Sequence, residues 1–369
     1  MSQARGVASL RESTADSRSP SAPRDQAKVI VRHDASADDC RAFLTQRGGS
    51  IYQRPEWDRV FRLYGLETLR LSAWRGESLV GLLPLVWQMN SLLGRRLISL
   101  PWFDTAGIVA EDETVRDQLL AAAREAAQLR QVPSVELRQS QAVEGWPQGD
   151  ADKALLRLQL PQDPDELWRK LSAKVRNQVR KGEKSGLTVE LSVDSRSALR
   201  LVPEFYEVYA TNMRDMGSPS HSLQFMTAVA ESFPDECRLA IVRLDGRAIG
   251  GGLTLSSGRS LEIPWASSLR SFGPLCVNHV MYWHLLRDAC LAGCEWFHFG
   301  RSTINSGPYR FKKQWGADAV PLVWHIWRAD ATAGAPRHDR KLQLASRVWQ
   351  RLPLSVARRL GPHLIRHLP

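Results

Sequence analysis

Residues 238–268 read RLAIVRLDGRAIGGGLTLSSGRSLEIPWASS, and this stretch decides the fold. Three short apolar-rich runs are separated by Asp245-Gly246 and Ser257-Gly258, residue pairs that favour tight chain reversals. The pattern predicts an antiparallel meander. On either side the periodicity becomes helical, over residues 197 to 216, 222 to 232 and about 275 to 292. A strand EWFHFG (295–300), a short helix around 308 to 315 and a final strand VPLVWHIW (320–327) complete this half. Ahead of it, DPDELWRKLSAKVRNQVRKGEKSG (163–186) has helical spacing and LTVELSV (187–193) alternates as a strand.

The first half follows the same order. The strand KVIVRHD (28–34) precedes two helical segments, ADDCRAFLTQRG (37–48) and RPEWDRVFRLYG (54–65). Two strands then flank the turn Arg75-Gly76-Glu77, RRLISLPWFDTAGIVA (95–110) continues in extended form, and an Ala-rich helix spans 112 to 130. The strands SVELRQS (134–140) and ALLRLQL (154–160) close the unit. The expected class is therefore α/β (α+β), with two tandem units, each a mixed, largely antiparallel sheet flanked by helices. The expected divisions are a disordered leader at 1–28, an N-terminal unit at 29–160, a C-terminal unit at 161–330 and a basic amphipathic tail at 331–369.

At 369 residues the chain suits two compact domains, and 43% hydrophobic residues with 24% charged ones describe a globular protein. Fifty Lys and Arg against 39 Asp and Glu give a net charge of +11, which favours phosphate-rich ligands, RNA or an anionic membrane surface. Much of that excess lies in residues 337 to 369, which hold eight Arg or Lys and only Asp339 as an acid. Five cysteines without a C-x-x-C pair suggest neither a disulfide framework nor a zinc site, so no metal is expected and a reducing cytoplasm fits. The leader lacks the apolar centre of a secretory signal. The longest apolar run, LVGLLPLVW (79–87), is far short of the roughly 20 residues that span a bilayer.

Three clusters carry chemical information. In LSAKVRNQVRKGEK (171–184), Leu171, Val175 and Val179 form a narrow apolar stripe, while Lys174, Arg176, Arg180, Lys181 and Lys184 face a single acid, Glu183. Such repulsion is relieved by an anionic partner, or the face is simply solvated. In SLEIPWASS (260–268), alternation sets Glu262 opposite Leu261 and Ile263. A carboxyl in an apolar strand is either a general base of raised pKa or meets solvent or an arginine. In FHFGRSTINSGPYRFKKQWGA (297–317), a strand exits at Gly300, Arg301 follows it, and Pro308 opens a cationic helix. That arrangement suits phosphate or carboxylate oxygens, or it is a basic surface helix, which accounts for the packing of Phe311 and Trp315 better than for Arg301.

Together with PEWDRVFRLYG, LISLPWFDTAG, FYEVYATNMRDMGSP and NHVMYWHLL, these motifs resemble the Fem-like branch of the GNAT acyltransferase superfamily. More narrowly, the chain resembles FemAB-type proteins associated with exosortase (PEP-CTERM) and exopolysaccharide loci, over roughly residues 29 to 369. The resemblance implies two tandem GNAT-like domains and a cleft where acceptor and acyl donor meet. Fem proteins transfer amino acids from aminoacyl-tRNA, whereas other GNAT enzymes use acyl-CoA, held on an R/Q-x-x-G-x-G/A loop. SLRSFGPLCVN (268–278) lacks that glycine pattern, and no heptad run supplies a tRNA-binding arm. The donor is accordingly a co-substrate, aminoacyl-tRNA or acyl-CoA, with no tightly bound cofactor.

Acyl transfer to an amine or hydroxyl needs a base beside the nucleophile and donors for the oxyanion. Glu262 is assigned as base or orienter, His298 as a further base, and Tyr309 as proton donor or oxyanion ligand. Arg301 and Ser302 are assigned to anionic groups, and Lys312 and Lys313 to donor phosphate. Arg176, Arg180 and Lys181 are assigned to a phosphate-bearing donor such as tRNA, and Asp104 to the acceptor. The expected acceptor is a glycan or peptide of the envelope or an exopolysaccharide, in some cases lipid-linked. The tail 337–369 either contacts the inner face of the membrane or caps the second domain. The competing reading is a non-catalytic binding module for a polyanionic glycan or RNA, which needs the cations but has no use for a base.

Overall fold

The computed structural model describes residues 28–90, 94–139, 142–144, 146, 148, 152–330 and 339–368. The leader expected at 1–28 lies outside the described residues except for Lys28. The first unit runs β1 (Val29–Arg32), α1 (Ala37–Arg47), α2 (Trp57–Arg62), β2 (Glu67–Arg75), β3 (Ser78–Asn90), β4 (Gly94–Ile98), β5 (Val109–Ala110), α3 (Glu113–Leu129) and β6 (Ser134–Gln139). The second runs β7 (Lys153–Gln159), α4 (Pro164–Lys170), α5 (Ala173–Lys184), β8 (Thr188–Leu191), α6 (Ser195–Met216), α7 (Leu223–Ser232), β9 (Cys237–Leu244), β10 (Arg247–Ser257), β11 (Ser260–Ser268), α8 (Val277–Leu291), β12 (Trp296–Thr303), α9 (Gly307–Lys313) and β13 (Asp318–Pro321). The strand β14 (Val323–Arg328) and the helices α10 (Asp339–Trp349) and α11 (Leu354–Ile365) follow.

Among the described residues these strands form two seven-stranded mixed sheets. The first has the order β1-β2-β3-β4-β6-β14, with β5 on β3; the second has the order β13-β7-β12-β11-β10-β9-β8. Each sheet is antiparallel except at one parallel pair, β4 with β6 and β11 with β12. In each case a long helix, α3 or α8, makes the crossover that a parallel pair requires. The meander over 238–268 is β9, β10 and β11, with Asp245 and Gly246 both at positive φ in the first turn.

Two boundaries differ from those read in the sequence. ALLRLQL, expected to close the first unit, is β7 and lies between β12 and β13 in the second sheet. VPLVWHIW is not one strand: β13 pairs with β7, while β14 returns to the first sheet beside β6. The two units thus exchange strands, because hydrogen-bonding partners and not local pattern decide sheet membership. The segment 163–186 also divides, since Ser172 caps a new helix by accepting from the Val175 N–H at 3.3 Å.

The second sheet is covered on one face by α5 and α8, over Leu156, Leu261, Ile263, Phe297 and Phe299. Its other face meets α6, α7 and the first unit in one continuous core. There Trp57 lies 4.5 Å from Phe103 and 4.9 Å from Phe233, ring centre to ring centre. Arg59 pairs with Glu231 at 2.6 Å and Arg54 pairs with Glu236, so α2 is tied to the α7 end as well as packed on it.

Trp57 is 1% exposed and joins the units through contacts that no smaller side chain replaces. Trp57→Ala is expected to cost about 3–5 kcal/mol, with both halves still unfolding in one urea transition followed by circular dichroism and tryptophan emission. Two separated transitions in the parent protein would contradict a shared core.

Candidate active site

A cavity of about 490 Å³ opens between the two units. Its floor comes from adjacent strands of the second sheet, where Glu262 on β11 is level with His298 on β12, and His298 with Arg157 on β7. Alternation explains the row. Leu261, Ile263, Phe297 and Phe299 point into the core beneath α8, leaving Glu262 and His298 on the opposite face. The first unit supplies the facing wall, through Gly48 to Ser50, Tyr52 and Trp102 to Thr105. Trp102 has φ +74, an uncommon conformation for a bulky residue, and its indole N–H donates to the Ile365 carbonyl at 3.1 Å.

Glu262 is only partly exposed. Burial in this wall pushes its carboxyl up to about 7; the neighbouring Tyr52 phenol lowers it and the nearby Asp104 charge raises it. Burial, and after it the Glu262 carboxylate, hold the Tyr52 phenol well above its ordinary value. His298 is pushed down to about 4, first by burial and then by Arg157. At neutral pH the imidazole is neutral and a poor proton acceptor, while Glu262 is poised between its two states.

β11 and β12 are paired only from Ser260 with Trp296 to Glu262 with His298. Beyond that point β12 bulges between His298 and Gly300, and Pro264 on β11 has no N–H to offer. The two strands part at the cavity. Gly300 lines it at φ +72, a conformation that only glycine adopts without strain.

Arg301 and Asp104 are each other's partners. Asp104 accepts from the Arg301 backbone N–H at 3.1 Å and from its guanidinium at 2.9 Å. The guanidinium also lies 5.1 Å from the centre of the Trp324 ring on β14. Arg301, assigned to an anionic ligand, and Asp104, assigned to the acceptor, both line the cavity, and there the pair clamps the two units together at the rim. Lys312 donates to the carbonyls of Gly300 (3.2 Å) and Arg301 (2.8 Å). It lines the cavity, and burial, reinforced by Arg301 and opposed by Asp104, pushes it down to about 8. One of its three donors is left for the cavity.

Ser302 is 6% exposed, does not line the cavity, and leaves its hydroxyl unpartnered in the core. Tyr309 is also outside the lining. It packs against the core beneath α8, and its backbone N–H is bonded to Ser306 Oγ at 3.2 Å in the helix cap. Lys313 is exposed on α9 away from the cavity. Arg176, Arg180 and Lys181 lie on α5, which packs against α8 on the opposite face of the sheet. Arg180 stands 5.3 Å from the Trp168 ring centre, and with Lys181 it is exposed. Near the start of α8, Lys174 bears on His279, which contacts Gln314 at 3.1 Å just past α9.

Tyr52 and Arg157 were not singled out from the sequence. For Arg157 a weak signal existed, a cation on the polar side of ALLRLQL; Tyr52 in GGSIYQRP had none.

A carboxyl held near 7 is a stability liability with a definite sign. Its ordinary value is 4.5, so the folded state keeps a proton that the unfolded state releases, and this contribution is lost as pH rises from about 4.5 through 7. Glu262→Gln should therefore gain stability relative to the parent between pH 5 and 8 in urea denaturation. Parallel stability profiles would contradict the raised value.

Residues 169–313 match the family model described as the acetyltransferase (GNAT) domain. Among solved structures, FemX is similar with a TM-score of 0.63 at 15% identity, over 82% of this chain and 97% of FemX. The C-terminal domain of a candidate lysylphosphatidylglycerol synthetase from Agrobacterium fabrum matches with a TM-score of 0.53 at 14% identity, over 79% of this chain and 91% of that domain. L-PGS from Bacillus licheniformis gives 0.50 at 11%, over 86% and 97%. No curated protein matches the sequence. At these identities the likeness is one of fold: residues 169–313 are similar to the acetyltransferase (GNAT) domain model, within a two-sheet α/β fold like that of FemX.

Proposed function

We propose that the protein is an acyltransferase that moves an acyl or aminoacyl group onto an amine or hydroxyl, with Glu262 as the general base. The observation that carries this reading is the Glu262 carboxyl, held near 7 in the inter-unit cavity where β11 and β12 part. The acceptor nitrogen or oxygen attacks the donor carbonyl and gives its proton to Glu262. The C–S or C–O bond to the donor breaks, and the leaving thiol or hydroxyl takes a proton in turn. Lys312 stands at the same cavity as a cation and proton donor for that step. His298 serves as a neutral positioning group.

The donor's phosphates are assigned to the reverse face, where α5 exposes Lys174, Arg180, Lys181 and Lys184 beside the start of α8. Its acyl end would reach the cavity between the parted strands. Both aminoacyl-tRNA and acyl-CoA have the required phosphates and activated carbonyl. The acceptor is a glycan or peptide of the cell envelope or an exopolysaccharide, as the resemblance to FemAB-type proteins of exosortase loci implies, met in the cytoplasm. The exposed cations of α5 also support a second reading, a binding module for a polyanionic glycan or RNA, which makes no demand on Glu262.

The test is mass spectrometry of ligands retained by the purified protein, followed by a screen of acyl-CoAs and charged tRNAs against amine and hydroxyl acceptors. With a working pair, Glu262→Gln should lower kcat by about 10²–10⁴-fold and leave donor affinity within about twofold. The parent's rate should rise with pH through an apparent pKa of about 7. Full turnover by the Gln variant would remove Glu262 from the chemistry. Donor binding without turnover in the parent would favour the binding module.

A further inference from the structure

The helix α11 is docked in an unusual way. Its buried stripe is Ala357, Gly361 and Ile365, spaced four apart. Two of these are small, and the helix comes so close to the chain beneath that a Cβ at Gly361 would lie 2.7 Å from the Ser220 carbonyl oxygen. Its end is fixed from the first unit, where Gln88 donates to the carbonyls of Arg366 (3.2 Å) and Leu368 (3.0 Å) and Trp102 donates to that of Ile365 (3.1 Å). The tail thus caps the second unit and reaches the first.

The large apolar residues lie outside. Val356, Leu360 and Leu364 form a second stripe, about 100° around the helix, and are 38%, 43% and 47% exposed. On α10, Leu344 and Val348 are 64% and 57% exposed. Arg347, Arg351 and Arg359 are exposed among them and make no ion pair among the described residues, whereas Arg358 is held by Glu207. Residues 340–369 contain seven Arg or Lys and no Asp or Glu.

We infer that the outer face of α10 and α11 is a docking surface for an anionic lipid bilayer. An aliphatic stripe bordered by unpaired arginines matches both layers of such a surface, the headgroup charge and the acyl boundary below it. A second copy of this chain would bring the same cations face to face, and RNA would satisfy the arginines while leaving the leucines in water. No described helix is long and apolar enough to cross a membrane, so the contact is peripheral. Because α11 ends on Trp102, a wall residue of the cavity, docking sets the cavity near the bilayer and within reach of a lipid-linked acceptor. That last consequence rests on the acyl-transfer reading; the docking surface does not.

The test is co-sedimentation of the full chain with vesicles of phosphatidylglycerol and phosphatidylcholine, and with phosphatidylcholine alone. The parent should pellet with the anionic vesicles only, less so as salt is raised. Val356→Ser/Leu360→Ser/Leu364→Ser should lower partitioning at least tenfold. Arg351→Gln/Arg359→Gln, which changes only exposed residues, should lower it on the order of fivefold per cation. Thermal midpoints near the parent's show that the fold is kept, and the arginine variant alone decides if the apolar one unfolds. Equal pelleting of parent and arginine variant, or no pelleting of the parent, overturns the inference. So does a dimer that the serine variant disperses, or RNA binding that only the arginine variant loses.

Discussion

The site depends on one ion pair. Asp104 receives both the backbone N–H and the guanidinium of Arg301, and so fixes the end of β12 to a loop of the other unit. Everything at the rim refers to that contact: Gly300 turns immediately before it, Lys312 bonds the carbonyls of Gly300 and Arg301, and Trp324 lies against the guanidinium. The pair is only partly exposed, with side chains at 30% and 16%, so it is screened less than a surface bridge. The same loop presents Phe103, which packs on Tyr52 at 4.4 Å between ring centres and so helps to hold the phenol that faces Glu262.

With the walls fixed in this way, the electrostatics of the cavity follow from burial. Glu262 sits in a wall with one phenol as partner and another carboxylate nearby, and both burial and that charge favour its protonated form. Arg157 and Lys312 keep cations within the same cavity. A carboxyl that costs stability when ionised, placed where two strands separate, is the kind of local cost that accompanies a site of chemistry. The basic surface of α5 lies on the far side of the sheet, so an anionic ligand and the reacting centre need not compete for one space.

Features that depend on alternation were legible in the sequence. LEIPW and FHFG (261–265 and 297–300) placed Glu262 and His298 away from the core, and the structure sets them level on adjacent strands. The meander, the long helices and the two-unit plan were legible for the same reason. What could not be read depends on pairing over distance. Asp104 and Arg301 are 197 residues apart and carry no mark of each other, so their pairing could not be read from either segment. Arg157 joins the cavity only through the register of β7 on β12, and β14 crosses to the first sheet although its own pattern continues that of β13. On the seven-residue helix α9, the pattern did not show which side faces the cavity; the structure turns Lys312 toward it and Tyr309 into the packing.

The central claim is that the fold holds Glu262 half-ionised at neutral pH in a cavity shared by the two units. The direct measurement is the side-chain carboxyl ¹³C resonance of Glu262 followed from pH 4 to pH 9, assigned by its loss in Glu262→Gln. A midpoint near 7 is the expected result. A midpoint at the ordinary glutamate value of 4.5 would contradict it, and with it the assignment of Glu262 as the base.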